Sequence, residues 1–294
     1  MKNAVKNASS KKAPKSAVQI AGDAVSTVLV YAMLIIMAFV VLVPIVWIVG
    51  ASFNEQSSLL SATAFPENPT ISHYVELIKE TKFLNWYANT LKIAVVNMVI
   101  SVVITSLTAY VFSRFKFKGK KSGLLSILIL QMFPSFMGMM ATYNILWQLN
   151  LLNTHFGLIL TYAAGQIPYN TWLVKGYLSS IPRSLDDAAR LDGASNLRIF
   201  GQIILPLMKP ILIFVALNQF ISPWMDFIFP RMILSSPEKK TLAIGLYDLI
   251  NSNTNNNFTT FAAGAVLVAV PITILYVCLQ KYLIQGVAAG ANKA

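Results

Sequence analysis

The stretch SLDDAARLDGASNLRIFGQIILP, residues Ser184–Pro206, is a polar interval between apolar segments of this 294-residue chain. Ser184 and Asp187 have the spacing of a capping box, which predicts a helix that begins one residue after the serine. Asp186 and Asp187 in its first turn complement the positive end of the helix dipole. Gly193 is expected to end this helix, because glycine adopts the left-handed backbone geometry without steric cost.

A second short helix is predicted after the glycine, capped by Asp192 or Ser195 and running to Phe200. The first helix also offers a small apolar surface, made of Leu185, Ala188, Ala189 and Leu191. Small alanine side chains permit close approach by the groove of a partner. Taken alone, the pattern is equally compatible with an ordinary amphipathic surface loop.

The composition indicates an integral membrane protein. Hydrophobic residues make up 56% of the chain and charged residues only 12%, about half of the roughly 25% that is usual in soluble domains. A formal charge of +12 is also typical of nucleic-acid-binding proteins. Here, however, the basic residues flank apolar runs, as they do in cytoplasmic loops at an anionic membrane surface. We therefore expect membrane lipid, and no nucleic acid, among the partners.

An all-α membrane protein with six transmembrane helices is predicted. The first apolar run, 24–52, has no charged residue and would reach roughly 40 Å, more than the ~30 Å hydrocarbon core. A cleavable signal peptide fits poorly, since its apolar region is only about 7–15 residues long. The remaining spans are predicted at Leu91–Ser113, Gly123–Leu146, Phe156–Leu173, Ile203–Phe220 and Phe261–Leu283.

The charges of the loops predict the orientation. Residues 114–121, after the second span, are strongly basic and contain no acidic residue, whereas the loop after the first span is rich in glutamate. The positive-inside rule then places both termini and the 184–206 stretch in the cytoplasm. We expect a cytoplasmic tail at 1–23, a transmembrane domain at 24–283 with a cytoplasmic loop at 180–202, and a second cytoplasmic tail at 284–294.

The predicted spans have no ionisable residue near their centres, where each would cost roughly 2.5–3.5 kcal/mol and be kept for a function. Proton-coupled carriers need such groups, which argues against a secondary carrier. The sequence also has no catalytic constellation, no cluster of metal ligands and no phosphate-binding glycine loop with its lysine. We expect no enzyme activity, and if ATP drives this protein, another chain binds it.

The 184–206 stretch resembles the signature cytoplasmic loop of ABC-importer permeases. The resemblance is carried by Asp187, Ala188 and Ala189, by Asp192, Gly193 and Ala194, and by Ile203, Leu205 and Pro206. That family usually has Glu at the position of Asp187, so this chain keeps the charge and shortens the reach. The resemblance implies the type I importer permease fold, in which this loop receives force from an ABC ATPase dimer.

The resemblance covers most of the chain and is strongest to the smaller permease of maltose/maltodextrin importers. It implies import of an oligosaccharide, with maltodextrin expected, across the cell membrane. The implied partners are a homologous second permease, an ABC ATPase dimer that binds ATP and Mg, and an extracytoplasmic sugar-binding protein. This chain itself would bind no cofactor, and the sugar site is expected mainly on the second permease.

Two outlying segments receive roles from the same resemblance. The C-terminal tail is expected to contact the ATPases, through Gly286, Ala289 and Gly290, and the asparagine-rich outer loop to contact the binding protein, through Asn253, Asn255 and Asn256. Amide side chains suit hydroxyl-rich ligands, since each offers a donor and an acceptor. A frayed terminus and a solvated linker are the alternatives. Trp86, Tyr87 and Trp224 are expected at the outer face, either stacking on sugar rings or anchoring the chain in the membrane interface.

Other functions stay open at this point. The chain is also compatible with an importer of raffinose-like, multiple-sugar or glycerol-phosphate substrates. An ion-coupled secondary carrier and a membrane anchor or receptor that transports nothing are further alternatives. Deleting the 184–206 loop would abolish ATP-dependent uptake by an importer, yet leave a carrier able to transport.

Overall fold

The computed structural model describes residues 17–56, 63–132, 135–251 and 257–291, and within these ranges the chain is helical and contains no β-strand. The helices are α1 (Ala17–Ser52), α2 (Ser72–Glu80), α3 (Phe83–Arg114), α4 (Lys120–Met132), α5 (Ser135–Gln148), α6 (His155–Leu178), α7 (Ser184–Leu191), α8 (Asn196–Ile199), α9 (Leu205–Leu207), α10 (Lys209–Met225), α11 (Ile228–Ile233), α12 (Leu242–Ile250) and α13 (Phe258–Ala291). A π-helical turn lies at Phe200–Ile204 and a 3₁₀ turn at Pro237–Lys239.

Several helices are suited to crossing a membrane. Three are long and apolar enough by themselves: Asp23–Ser52 within α1, the whole of α3, and Phe258–Tyr282 within α13. Two bent pairs of helices also qualify if each counts as one span, namely α4 with α5 and residues 196–207 with α10, which raises the number to five. The 24-residue α6 is long enough but is not apolar enough to join them. Membrane-spanning helices are therefore present, and the number six stays a prediction.

The fifth predicted span, Ile203–Phe220, is wrong as one straight helix. Its first residues belong to the π-helical turn and to α9, and the direction changes by 77° before α10 begins at Lys209. Proline provides the physical reason, because Pro210 has no N–H to donate and its ring excludes the carbonyl four residues earlier. The helix therefore turns at Met208, and the residues before it join the loop.

Two other predicted spans differ in their extent. α3 begins at Phe83 rather than at Leu91, so that it is longer than the predicted span. The span predicted at Gly123–Leu146 is divided between α4 and α5, which lie on either side of residues 133–134. For the last span the difference is smaller, because α13 includes all of Phe261–Leu283 and extends beyond both ends.

At the centre of the bundle, α3 packs against α6 and α10. Polar side chains are buried in the contact between α3 and α10, where the Asn97 amide donates to the main-chain oxygen of Gln219 at 2.9 Å and to its side-chain oxygen at 3.1 Å. Ser101, one turn further along α3, is fully buried beside them. Hydrogen bonds of this kind hold helices together where the surrounding lipid offers no hydrophobic driving force.

Two of the three aromatic residues expected at the outer face lie inside the bundle, and the third, Tyr87, is half-buried. Trp86 and Trp224 are 8% and 6% exposed and belong to a cluster with Leu77 and Leu242. Gly245 of α12 makes this possible, because a Cβ there would overlap the Trp86 ring. The expectation of sugar stacking or interfacial anchoring by these tryptophans is therefore wrong.

α1 is the most exposed of the long helices. It packs against α13 only near its C-terminal end, where Ala51 meets Ala262, while the apolar side chains from Val25 to Val46 are largely exposed. A surface of this kind is suited to lipid or to another membrane chain.

Candidate functional site

The predicted coupling residues lie in one segment, which consists of α7, α8, the π-helical turn, α9 and Met208. These residues, 184–208, are called the loop segment below. α7 begins at Ser184, and the predicted capping box is wrong. Arg183 occupies the N-cap position in helical geometry, with no capping side chain, and its carbonyl accepts from the Asp187 amide at 3.1 Å. The amide that the Ser184 hydroxyl was to cap is therefore already bonded.

The predicted turn and second helix are confirmed. Gly193 has a φ of +78°, in the left-handed region, and follows Asp192 at the end of α7. Of the two candidate caps, the Ser195 hydroxyl accepts from the Arg198 amide at 3.3 Å and begins α8. The helical geometry then continues through Phe200 as the π-helical turn rather than ending there.

One side of the loop segment is seated on the bundle. Ile199, Ile204 and Met208 are fully buried, and Ala189 is 8% exposed. They share a cluster with residues from the ends of three membrane helices, which are Ala109 and Tyr110 of α3, Val174 and Leu178 of α6, and Ile211, Leu212 and Val215 of α10. Movement of the loop segment must therefore move the ends of these helices as well, since packed interiors do not deform freely.

A buried ion pair fixes the start of α7. Arg114 Nε lies 3.1 Å from Asp186 Oδ2, and the two side chains are 3% and 2% exposed. The same guanidinium donates to the carbonyls of Leu178, at 3.4 Å, and Ile181, at 3.1 Å. Arg114 thereby joins the end of α3 to the end of α6 and to α7. Neither carboxylate oxygen of Asp186 has a hydrogen-bond partner among the described residues, so the charge of Arg114 is what offsets their burial, and the contact depends on both partners.

Further contacts hold the rest of the loop segment. The Arg183 guanidinium donates to Ser113 O at 3.0 Å, and the Tyr177 hydroxyl donates to Leu207 O at 3.3 Å. The Tyr110 ring packs on Phe200 with centroids 5.0 Å apart. Together with the ion pair, these contacts make the loop segment an extension of the bundle rather than a free linker.

The opposite side of the loop segment is an exposed apolar tip, formed by Leu191 and Leu197. These side chains are 90% and 79% exposed, which is unusual for large apolar residues. The expected apolar surface is therefore divided, because Ala188 and Leu191 face outward while Ala189 faces the bundle. The other predicted residues lie around the tip or behind it: Asp187, Asp192, Gly193 and Pro206 are exposed, Leu205 is 36% exposed and Ala194 is half-buried.

Asp187 is not held by the bundle. Its carboxylate pairs with Arg190 of the same helix at 3.1 Å, and both side chains are substantially exposed. An exposed pair of this kind contributes little to stability. Asp187 is thus free to meet a partner chain, whereas its neighbour Asp186 is committed to the fold.

The remaining predicted residues belong to two other stretches of the sequence. Asn253, Asn255 and Asn256 fall outside the described residues, whereas Gly286, Ala289 and Gly290 lie in the last part of α13, which is helical. In the described part of the chain, no three His, Cys, Asp or Glu side chains are grouped as metal ligands would be.

Sequence reasoning missed the roles of Arg114, Asp186 and Leu197. A signal for Asp186 was present, because it lies three residues before the buried Ala189 and thus on the same face of α7. Its partner could not be found in the same way, since Arg114 comes from a distant part of the chain.

Comparison with known sequences identifies the family. The family described as "Binding-protein-dependent transport system inner membrane component" matches residues 101–289. The chain is 45% identical to the galactooligosaccharides transport system permease protein GanQ of Bacillus subtilis, over 90% of this chain and 94% of that one. It is 40% identical to the maltodextrin transport system permease protein MdxG of the same organism, over 90% and 95%.

Solved structures support the same assignment. A chain of a bacterial ABC transporter involved in the import of the acidic polysaccharide alginate is similar with a TM-score of 0.77 and 26% identity, over 92% of this chain and 100% of that one. A chain of the alginate transporter in complex with a pentasaccharide-bound periplasmic protein has the same fold, with a TM-score of 0.67 and 17% identity over 88% and 94%. The chain described here belongs to the family of binding-protein-dependent transport system inner membrane components, the membrane permeases of ABC importers.

Proposed function

We propose that this chain is one permease subunit of an ATP-driven importer for an oligosaccharide, and that the loop segment docks on the ATPase subunits. The observation that carries the proposal is the arrangement of the loop segment. Its buried side is tied to the ends of α3, α6 and α10, and Leu191 and Leu197 are exposed at its tip. Exposed leucines of this kind suit an apolar groove on a partner. Because the loop segment packs against the membrane helices, it can transmit the partner's motion to them.

The proposed partners are those that membership of the ABC importer family implies. A homologous second permease completes the pathway, an ABC ATPase dimer binds ATP and Mg, and an extracytoplasmic binding protein delivers the sugar. Closure of the ATPases upon ATP draws the two loop segments together and turns the cavity outward. This chain supplies no catalytic group for ATP hydrolysis.

In the proposed topology, six spans cross the cell membrane and both termini lie in the cytoplasm. The basic residues after α3 and around α7 support this orientation. The spans beyond the three long helices are supplied by the bent pair of α4 and α5, by α6 and by α10. The helical end of α13, with Gly286, Ala289 and Gly290, is proposed to reach the ATPases. The loop with Asn253, Asn255 and Asn256 is proposed to meet the binding protein.

The substrate is proposed to be a maltodextrin or a galactooligosaccharide. The names of the relatives support both, because GanQ is a permease for galactooligosaccharides and MdxG one for maltodextrin. Both are neutral sugars of several rings, so the chemistry required of the pathway is the same.

The test is uptake by proteoliposomes that contain the full complex of this chain, its second permease, the ATPases and the binding protein. We expect ATP-dependent accumulation of one of the two sugars, and none when the ATPases are omitted. Uptake that needs only an ion gradient, without ATPases, would overturn the proposal in favour of a secondary carrier.

A further inference from the structure

A cavity of about 940 Å³ lies between α4, α5, α6 and the outer end of α10. Its volume is within the range of about 300–1,000 Å³ that is usual for small-molecule sites. Gly138 and Gly165 line it, and a Cβ at either position would meet no other atom within 4 Å, so both border open space. The cavity is distinct from the loop segment, which lies at the other end of α6 and α10.

Polar side chains converge on this cavity although it lies among membrane helices. They are Gln131, Thr142, Thr161, Gln166, Ser222 and Asp226. Tyr162, beside them, lies seven positions after the start of α6, about 10 Å along the helix at a rise of ~1.5 Å per residue. Polar side chains are costly where a membrane helix faces lipid, so membrane proteins usually direct them to a cavity or a pathway.

Asp226 is the charged member of the set. Its Oδ2 accepts from the Tyr162 hydroxyl at 2.9 Å, and its Oδ1 accepts from the Phe229 amide at 3.4 Å. Among the described residues it has no basic partner within ion-pairing distance. An ionised carboxylate has about four acceptor positions, so capacity is left for hydroxyl donors from a ligand.

The other polar groups complement this carboxylate. The hydroxyls of Thr142 and Thr161 donate to helix carbonyls at 2.9 Å each, and therefore present acceptor lone pairs to the cavity. The exposed Gln166 amide offers both a donor and an acceptor. Met137 and Phe229 line the same space and supply apolar surface. A pyranose ring has hydroxyl groups at its edge and C–H groups on its faces, and both kinds of surface find partners here.

We propose that this cavity is a sugar-contacting surface of the translocation pathway, carried by this chain in addition to any site on the second permease. The proposal rests on the proposed import function. The ligand is a neutral oligosaccharide, since the unpaired charge of Asp226 repels the carboxylates of an acidic polysaccharide. The chain thus takes part in selecting the sugar, as well as in transmitting force.

The test uses the complete transporter in proteoliposomes, with one variant that fills the cavity and one that removes its charged side chain. Gly165→Leu adds bulk at a position where a Cβ would meet no other atom within 4 Å. Gly176→Leu is the matched control, because Gly176 lies on the same helix outside the cavity and its Cβ would also meet nothing within 4 Å. Asp226→Ala removes the acceptor without adding volume. Uptake, ATP hydrolysis stimulated by the binding protein and co-purification of all subunits are measured for each.

We expect Asp226→Ala to lower uptake about tenfold or more at low sugar concentration, as for loss of a hydrogen bond to a charged group. Gly165→Leu should reduce uptake of longer oligosaccharides more than that of the disaccharide, with Gly176→Leu near wild type. ATP hydrolysis should persist in all variants. Wild-type uptake by both cavity variants, or equal losses for short and long sugars, would overturn the inference. A wild-type complex that shows no ATP-dependent uptake would instead refute the proposed function.

Discussion

Two neighbouring aspartates of α7 have opposite surroundings. The side chain of Asp186 is 2% exposed and paired with Arg114, whereas that of Asp187 is 68% exposed and paired within its own helix. In the sequence both complement the helix dipole in the first turn, and only Asp187 also belongs to the motif of the family. The fold distinguishes them, since only one lies on the face of α7 that meets the bundle.

The two aspartates should therefore differ in their effect on stability. Asp186→Asn leaves the Arg114 charge buried without its counter-ion, which we expect to destabilise the permease by about 3–5 kcal/mol. Asp187→Asn removes an exposed pair and should cost less than about 1 kcal/mol. Thermal unfolding of the detergent-solubilised permease pair measures both. Equal midpoints for the two variants would contradict the account of the buried pair.

Gly193 offers a second test at the residue scale, because Gly119, in the loop between α3 and α4, has the same backbone property. Their φ values are +78° and +85°, and a Cβ at either would meet nothing within 4 Å. Valine at each should impose a similar strain, of order 1–2 kcal/mol. We expect Gly193→Val to abolish ATP-dependent uptake while the chain still inserts, and Gly119→Val to transport. Normal uptake by Gly193→Val would refute the role of the turn.

At the scale of elements, the turn and the helix cap of the loop segment were predictable from neighbouring residues in the sequence. The position of the segment against the bundle depends on contacts with distant residues. The glycine turn and the Ser195 cap depend on neighbours within three residues, so the sequence predicts them. The buried face of α7 and the change of direction at Met208 depend on packing against the ends of α3, α6 and α10. The asparagine at 97 illustrates the same limit, because its role became visible only once α10 lay beside α3.

The contact between α3 and α10 depends on a matched polar pair. Gln219→Leu should leave the Asn97 amide buried without its side-chain acceptor, at a cost of about 1–3 kcal/mol. Replacing both residues by leucine removes the donor and the acceptor together, so the double variant should be less destabilised than the sum of the single variants. Thermal unfolding of the permease pair gives the three values. Additive losses would show that the two side chains do not interact.

At the scale of the whole molecule, the chain combines a packed central bundle with exposed surfaces that are available to partners. The bundle of α3, α6 and α10 holds the loop segment at one end and contributes to a polar cavity towards the other. The sequence predicted the membrane class, the loop and its family. It did not reveal the cavity, because Gln131, Tyr162 and Asp226 are far apart along the chain and none belongs to a motif.

The docking of the loop segment is the central claim, and Leu191 and Leu197 test it most directly. Both are almost free of contacts with the bundle, so their replacement by serine should leave folding intact. Leu149, 57% exposed in the loop after α5, provides the matched control. The measurement is recovery of the ATPase subunits with the tagged permease in mild detergent. We predict that Leu191→Ser with Leu197→Ser loses the ATPases but keeps the second permease, whereas Leu149→Ser keeps both. Full recovery of the ATPases by the double variant would contradict the account.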